Sequence, residues 1–214
     1  METKHKAYLI GGTSHAGKST VAQALAEKLC WDYQPTDKLA RHPGRPWRPN
    51  REPVKRFVAH HYLSHTHDEL VASVIHHFKK NVWPLVAEIV TERATKPLTN
   101  CLVMEGAALQ PDLVMQLDFQ NVASVWLTAS DEFFRQRIHQ SSLYEIRSEE
   151  EKELIDRFVE RECGISQRIK ETISSFDLPI IDVEKHPDPK ELERVVLSTL
   201  ASQNQPRRAE ARFE

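Results

Sequence analysis

Residues 12–19 read Gly-Thr-Ser-His-Ala-Gly-Lys-Ser and satisfy the phosphate-loop pattern G-x-x-x-x-G-K-[ST] in full. Such a turn lets successive backbone N–H groups point inward at an anion. Gly12, Thr13, Ser14, His15, Ala16, Gly17 and Thr20 are therefore candidate contacts through their backbone as much as through their side chains. A helix start directly behind the turn adds unpaired N–H groups and the positive end of a dipole. Lys18 has the reach and charge for β- and γ-phosphates, and the Ser19 hydroxyl can ligate Mg²⁺. Together these residues are expected to bind a nucleoside triphosphate, taken as ATP, with Mg²⁺.

The motif works only between a buried strand and a helix, and the flanking sequence supplies both. Ala7 to Gly11 is short, apolar and strand-like, while Val21, Ala22, Leu25 and Leu29 mark one face of a helix from Lys18 to Cys30. Further strands are expected at about Asp32–Gln34, Cys101–Met104, Asn121–Leu127 and Leu178–Val183. Helical periodicity fills the spaces between them. One long helical stretch is expected from Val54 to Asn81, with a second helix started or kinked by Pro84. Ser130 reads as a helix cap, Ser148-Glu149-Glu150-Glu151 has capping-box spacing, and Asp188-Pro189 opens the last helix. Strands alternating with helices predict an α/β, three-layer fold with a five-stranded parallel sheet covered on both faces. One domain is expected over 1–203, with a helical insertion at 54–96, a helical lid at about 139–164 and a loose polar tail at 204–214.

In such a sheet, ligands sit at the carboxyl ends of the strands. Asp37 follows the second strand, where a carboxylate can orient or deprotonate an attacking hydroxyl; Pro35-Thr36-Asp37 is also good turn chemistry. Glu105 ends the third strand, where an acid can hold Mg²⁺ through water or grip the acceptor, and Gly106 behind it would leave room for a ligand near the backbone. Arg41, Arg45, Arg48, Arg51, Lys55 and Arg56 lie close together with one acid, Glu52, which points to an anionic acceptor or to a solvated basic loop. Trp47 in that loop stacks on a planar group or packs. Of the arginines on and near 139–164, Arg137 is the first candidate to neutralise charge on a transferring phosphoryl group and Arg161 the second. His61 and His65 have the i,i+4 spacing of a metal pair, but the H-E-x-x-H pattern is missing, and helix-surface imidazoles are the simpler reading.

Composition narrows the class. With 214 residues, 40% of them hydrophobic, the chain can bury a core, and a net charge of −2 argues against a general nucleic-acid coat. No apolar run approaches the ~20 residues of a membrane helix. Met1 to Lys6 is polar and leads straight into the first strand, so no secretory leader is expected. Three cysteines without C-x-x-C spacing read as reduced thiols, which points to the cytoplasm.

Over roughly residues 7–183 the chain resembles the small P-loop kinases of the nucleoside- and nucleotide-kinase-like group. The resemblance is carried by Gly12 to Ser19 and by Val125-Trp126-Leu127-Thr128 with Phe133-Phe134-Arg135-Gln136-Arg137-Ile138. It implies that Arg137 lies over the nucleotide and that Asp37 is the base acting on a hydroxyl. Thr36 to Trp47 is also similar to 2-phosphoglycerate-kinase-like and zeta-toxin-like ATPases. Glu105 stands where the group usually has an aspartate, and the 54–96 insertion is longer than the acceptor domain of adenylate kinases. The expected activity is transfer of the γ-phosphate of ATP to a hydroxyl of a small anionic metabolite. Two alternatives stay open: a nucleotide-dependent switch that binds a protein partner through the 54–96 helices, and a 5′-hydroxyl nucleic-acid kinase.

Overall fold

The computed structural model describes residues 4–40, 44–48 and 52–203. Its centre is a five-stranded parallel sheet in the order β2-β3-β1-β4-β5, formed by β1 (Ala7–Gly12), β2 (Asp32–Pro35), β3 (Leu102–Glu105), β4 (Val122–Thr128) and β5 (Ile180–Asp182). The register places Ile10 and Pro35 beside Glu105, so β2 and β3 end level with Ile10 while β1 runs two residues further to Gly12. The loops that leave them therefore open on one edge.

Period-two alternation in β1 divides the core. Tyr8 and Ile10 face helices α1 (Lys18–Leu29), α6 (Asp131–Ser142) and α8 (Pro189–Ala201), where Leu25, Phe134 and Val196 are fully buried. Ala7 and Leu9 face α4 (Trp83–Thr95), whose Val86 and Val90 are equally buried. The 28-residue helix α7 (Glu149–Phe176) serves both layers. Its first half buries Ile155, Phe158 and Val159 on one side of the sheet, and its second half buries Ile165, Ile169 and Ile173 on the other. At 1.5 Å per residue it spans about 42 Å, enough to strap the whole molecule. Residues 139–164 are thus the end of α6, a tight turn over Tyr144–Ile146, and the buried first half of α7.

The stretch expected as one helix from Val54 to Asn81 is divided. It forms α2 (Arg56–Leu63) and α3 (His67–His77), followed by a π turn over Phe78–Val82 that leads into α4. The break has a local cause. Thr66 accepts from the Glu69 N–H while the Glu69 carboxylate accepts from the Thr66 N–H, a full capping box that starts a new helix. The π turn lies just ahead of Pro84, which has no N–H to return to the carbonyl of Lys80. Other expected boundaries hold to within a residue or two. Ser130, Ser148 and Asp188 each accept a helix-starting N–H, as their spacing predicted. The tail 204–214, Arg41 and Arg51 lie outside the described residues.

Replacing Thr66 by Ala removes the cap between α2 and α3. A loss of about 1 kcal/mol in unfolding free energy is expected, read as a lower urea midpoint with an unchanged slope.

Candidate active site

Each element of the sheet's carboxyl edge delivers one part of a single cleft of about 1300 Å³. Beyond β1, Gly12 has φ +128°, and a Cβ there would lie 2.4 Å from the Leu127 carbonyl oxygen. Gly17 has φ +83° with open space around it, so its requirement is conformational alone. His15 adopts φ 66° with a full side chain, a backbone state that costs about 1–2 kcal/mol outside glycine. Its ring bridges the loop to α6, with Nδ1 3.0 Å from Ser14 Oγ and Nε2 2.8 Å from Ser141 Oγ. Burial, reinforced by Arg45, lowers its pKa to about 4, so the imidazole stays neutral at physiological pH. His15 thus acts through its ring as well as through its backbone.

Lys18 is buried, and its Nζ donates to the Thr13 carbonyl at 2.5 Å. Burial pulls its pKa down, while the nearby carboxylates of Glu105, Asp37 and Glu162 act to hold the charge. Ser19 Oγ donates to Glu105 Oε1 at 3.0 Å, and Tyr33 OH donates to the same oxygen at 3.0 Å. The motif hydroxyl and the strand-end acid are thereby in contact although 86 positions apart. A hydroxyl and a carboxylate so placed are oxygen donors of the kind hard divalent cations take. Among the described residues, no group of three or more His, Cys, Asp or Glu side chains could hold a metal ion, and the His61 and His65 rings are tilted at 47° to each other with centroids 4.9 Å apart.

Asp37 sits in the short 3₁₀ turn Thr36–Lys38 after β2, exposed on the cleft wall. Arg45, Arg48, Gly106 and Arg137 line the same cleft. Arg137 lies over the Phe133 ring at 4.6 Å, its side chain otherwise toward solvent. Of the arginines on or near the 139–164 segment, Arg137 and Arg161 reach the cleft. Arg147 is instead a buried brace between the Ser142 and Arg48 carbonyls, and Arg157 holds the carbonyls of Tyr62 and His65.

One expectation is corrected, and one open alternative is decided. Gly106 was read as making room for a ligand. Its φ is +152°, and a Cβ on it would lie 1.7 Å from Thr36 Oγ1, so the space belongs to the chain's own threonine. Trp47 packs: it is buried and meets Phe158 edge-on at 4.9 Å. The sequence reading missed Glu162 and Tyr62. Glu162 Oε2 accepts the Ser14 N–H at 2.9 Å, and Arg161 donates to both Glu162 and the Tyr62 hydroxyl. No local pattern marks either residue. Glu162 is one acid among several on α7, and only the path of the helix across the glycine loop brings it there.

No family model and no curated protein matches this chain. Solved structures do. A gluconokinase from Sinorhizobium meliloti is 18% identical with a TM-score of 0.52, covering 95% of each chain. A shikimate kinase from Aquifex aeolicus is 16% identical with a TM-score of 0.51, over 91% of this chain and 95% of that one. A deoxyadenosine kinase from M. mycoides, solved with dATP, is 19% identical with a TM-score of 0.50, over 92% of this chain and all of its own. The chain thus has the fold of the small P-loop kinases. Among the described residues, no helix is long and apolar enough to cross a membrane.

A Gly106→Ala substitution puts a methyl into Thr36 and forces a left-handed backbone on a residue with a Cβ. A loss of about 2–4 kcal/mol is expected in chemical denaturation. Unchanged stability would show that Thr36 and the turn after β3 yield freely.

Proposed function

We propose that the protein is a phosphotransferase that moves the γ-phosphoryl group of ATP to a hydroxyl of a small anionic acceptor. The observation that carries this reading is convergence. Lys18, Ser19, Glu105 and Asp37 come from three strand ends onto one cleft, and its far wall is the helical insertion. At about 1300 Å³ the cleft exceeds the roughly 300–1000 Å³ usual for one small ligand, which suits two substrates held side by side. The structural neighbours named above are kinases, which agrees with this reading.

In this reading the loop amides and Lys18 hold the triphosphate, and Ser19 with Glu105 holds Mg²⁺, which neutralises charge on the phosphates. Asp37 accepts the proton as the acceptor oxygen attacks phosphorus and the bond to the departing ADP oxygen breaks. Arg137 offsets charge on the transferring group. Glu105 already receives two hydroxyl hydrogen bonds, which favours the metal role over a grip on the acceptor.

The acceptor side has its own chemistry. The insertion contributes Val58, Val74, Phe78 and Val82 to the wall, and the π turn presents the last two. Arg45, Arg48 and Lys55 stand at the same cleft with exposed side chains. An acceptor with an apolar body and a carboxylate or phosphate fits that combination better than a bare polyol, whose hydroxyls would meet aliphatic carbon. Thr36 Oγ1, buried and without a hydrogen-bond partner among the described residues, stands next to Asp37. Tyr62 and Leu70 of the insertion are buried within the chain, which favours transfer over a switch that docks a protein on that face.

Incubation with γ-labelled ATP and a panel of hydroxy acids, sugars, nucleosides and 5′-hydroxyl oligonucleotides tests the reading. Label is expected on a hydroxy acid; label on an oligonucleotide would move the assignment to a nucleic-acid kinase. Lys18→Ala is expected to lower transfer by at least about 100-fold with the circular dichroism spectrum unchanged. Asp37→Asn should slow transfer by about 10²–10⁴ while nucleotide affinity holds, and transfer at the unaltered rate would remove Asp37 from its role.

A further inference from the structure

The glycine turn, whose sequence is that of an anion-binding loop, holds a carboxylate of its own chain. Ser14 N–H, inside the glycine turn, donates to Glu162 Oε2 at 2.9 Å. Glu162 Oε1 accepts from Arg161 at 2.7 and 3.2 Å. The pair is buried, with side-chain exposures of 5% for Arg161 and 4% for Glu162. Arg161 continues the chain of contacts, donating to the Tyr62 hydroxyl at 2.6 Å, and Tyr62 donates to the Gly44 carbonyl at 2.6 Å. Gly44 leads into Arg45 and Arg48 on the cleft wall. A continuous hydrogen-bonded path therefore runs from the phosphate loop, through α7 and α2, to the segment that carries the cations of the acceptor side.

One amide hydrogen serves one strong acceptor at a time. A phosphate oxygen that takes the Ser14 N–H must displace the Glu162 carboxylate, and two anions in one low-dielectric seat repel each other. We propose that Glu162 is a positioning residue: it occupies the phosphate seat of the free enzyme, the triphosphate displaces it, and Arg161 and Tyr62 relay the displacement to residues 44–48. This rests on the phosphotransferase reading. It adds that nucleotide binding prepares the acceptor side before the acceptor arrives. Arg161, released from Glu162, then has a phosphate as its alternative partner, so the buried guanidinium exchanges one anion for another and is never left alone.

Calorimetry with magnesium and the β,γ-imido analogue of ATP tests the first half. If Glu162 competes for the seat, only the fraction of molecules with the carboxylate withdrawn binds at full strength, so removing the competitor tightens binding. Glu162→Ala is expected to bind the analogue about tenfold more tightly. A purely structural Glu162 predicts the opposite sign, because its loss would loosen the loop and strand Arg161. Glu162→Gln keeps the shape and loses the charge, and should fold where the alanine variant does not; it is expected to tighten binding by a smaller factor. Equal or weaker binding in the folded variants overturns the proposal.

Amide hydrogen exchange tests the relay. In the unaltered protein, the analogue should change the exchange of the peptide covering 44–48. In Tyr62→Phe that response should vanish while the analogue still binds; its persistence overturns the relay. Failure of the unaltered protein to bind the analogue at all would instead sink the phosphotransferase reading, a result distinct from either of the others.

Discussion

The arrangement turns on one buried cation. Lys18 lies beneath its own loop with its ammonium against the Thr13 carbonyl, and burial works against its charge. Taking an ammonium out of water costs several kcal/mol unless opposite charge is close. Here three carboxylates supply it, and each arrives from a different part of the chain: Glu105 from β3, Asp37 from the turn after β2, and Glu162 from α7. The parallel sheet is what makes this possible. Because Ile10, Pro35 and Glu105 share a register level, β2 and β3 end at one height, two residues short of the end of β1. A strand shifted by one residue would turn Glu105 to the opposite face and leave the cation short of its nearest acid.

Much of this was legible in order but not in contact. The glycine loop, the strand before it and the helix behind it follow from a local pattern whose physics is local: backbone amides, positive φ at Gly12 and Gly17, and one lysine. The alternation of strands and helices gave the sheet and its five strands. Asp37 and Glu105 were found because ligands gather where strands end, a rule that needs only the strand boundaries. By contrast Glu162 and Tyr62 have ordinary helical neighbours. They matter because α7 is long enough to cross the loop, and helix length fixes their height while nothing local fixes what they meet.

Two expectations depart from the structure for different reasons. Gly106 looked like space for a ligand because glycine after a strand often is; Thr36 fills that space from a neighbouring strand, a tertiary fact. The long helix expected from Val54 was divided by a signal that was present, Thr66-His67-Asp68-Glu69, whose capping-box spacing competes with the apolar periodicity around it. Periodicity reports which face is buried and is blind to where one helix stops and another begins. The π turn is less legible still, since Pro84 explains a disturbance but not that it takes the form of a widened turn.

The least legible part is also the part that would choose the acceptor in the proposed reaction. The nucleotide half of the cleft is built from backbone groups, which any sequence of suitable turn chemistry can supply. The acceptor half is built from side chains on α2, α3 and the π turn, and there every substitution changes the wall directly. Val58, Val74, Phe78 and Val82 give it an apolar surface, while Arg45, Arg48 and Lys55 give it positive charge. The two characters do not conflict. The apolar residues belong to helices packed against the core, and the cations stand on exposed segments flanking them. In the proposed reaction, an aliphatic wall beside exposed cations would disfavour a hydroxyl it cannot bond and favour an anion that the cations can pair. The same division explains why the fold is shared with kinases of identity below 20%. On the proposed reading, the sheet and loop would answer a requirement set by phosphate, and the insertion one set by the acceptor, for which sheet geometry imposes no answer.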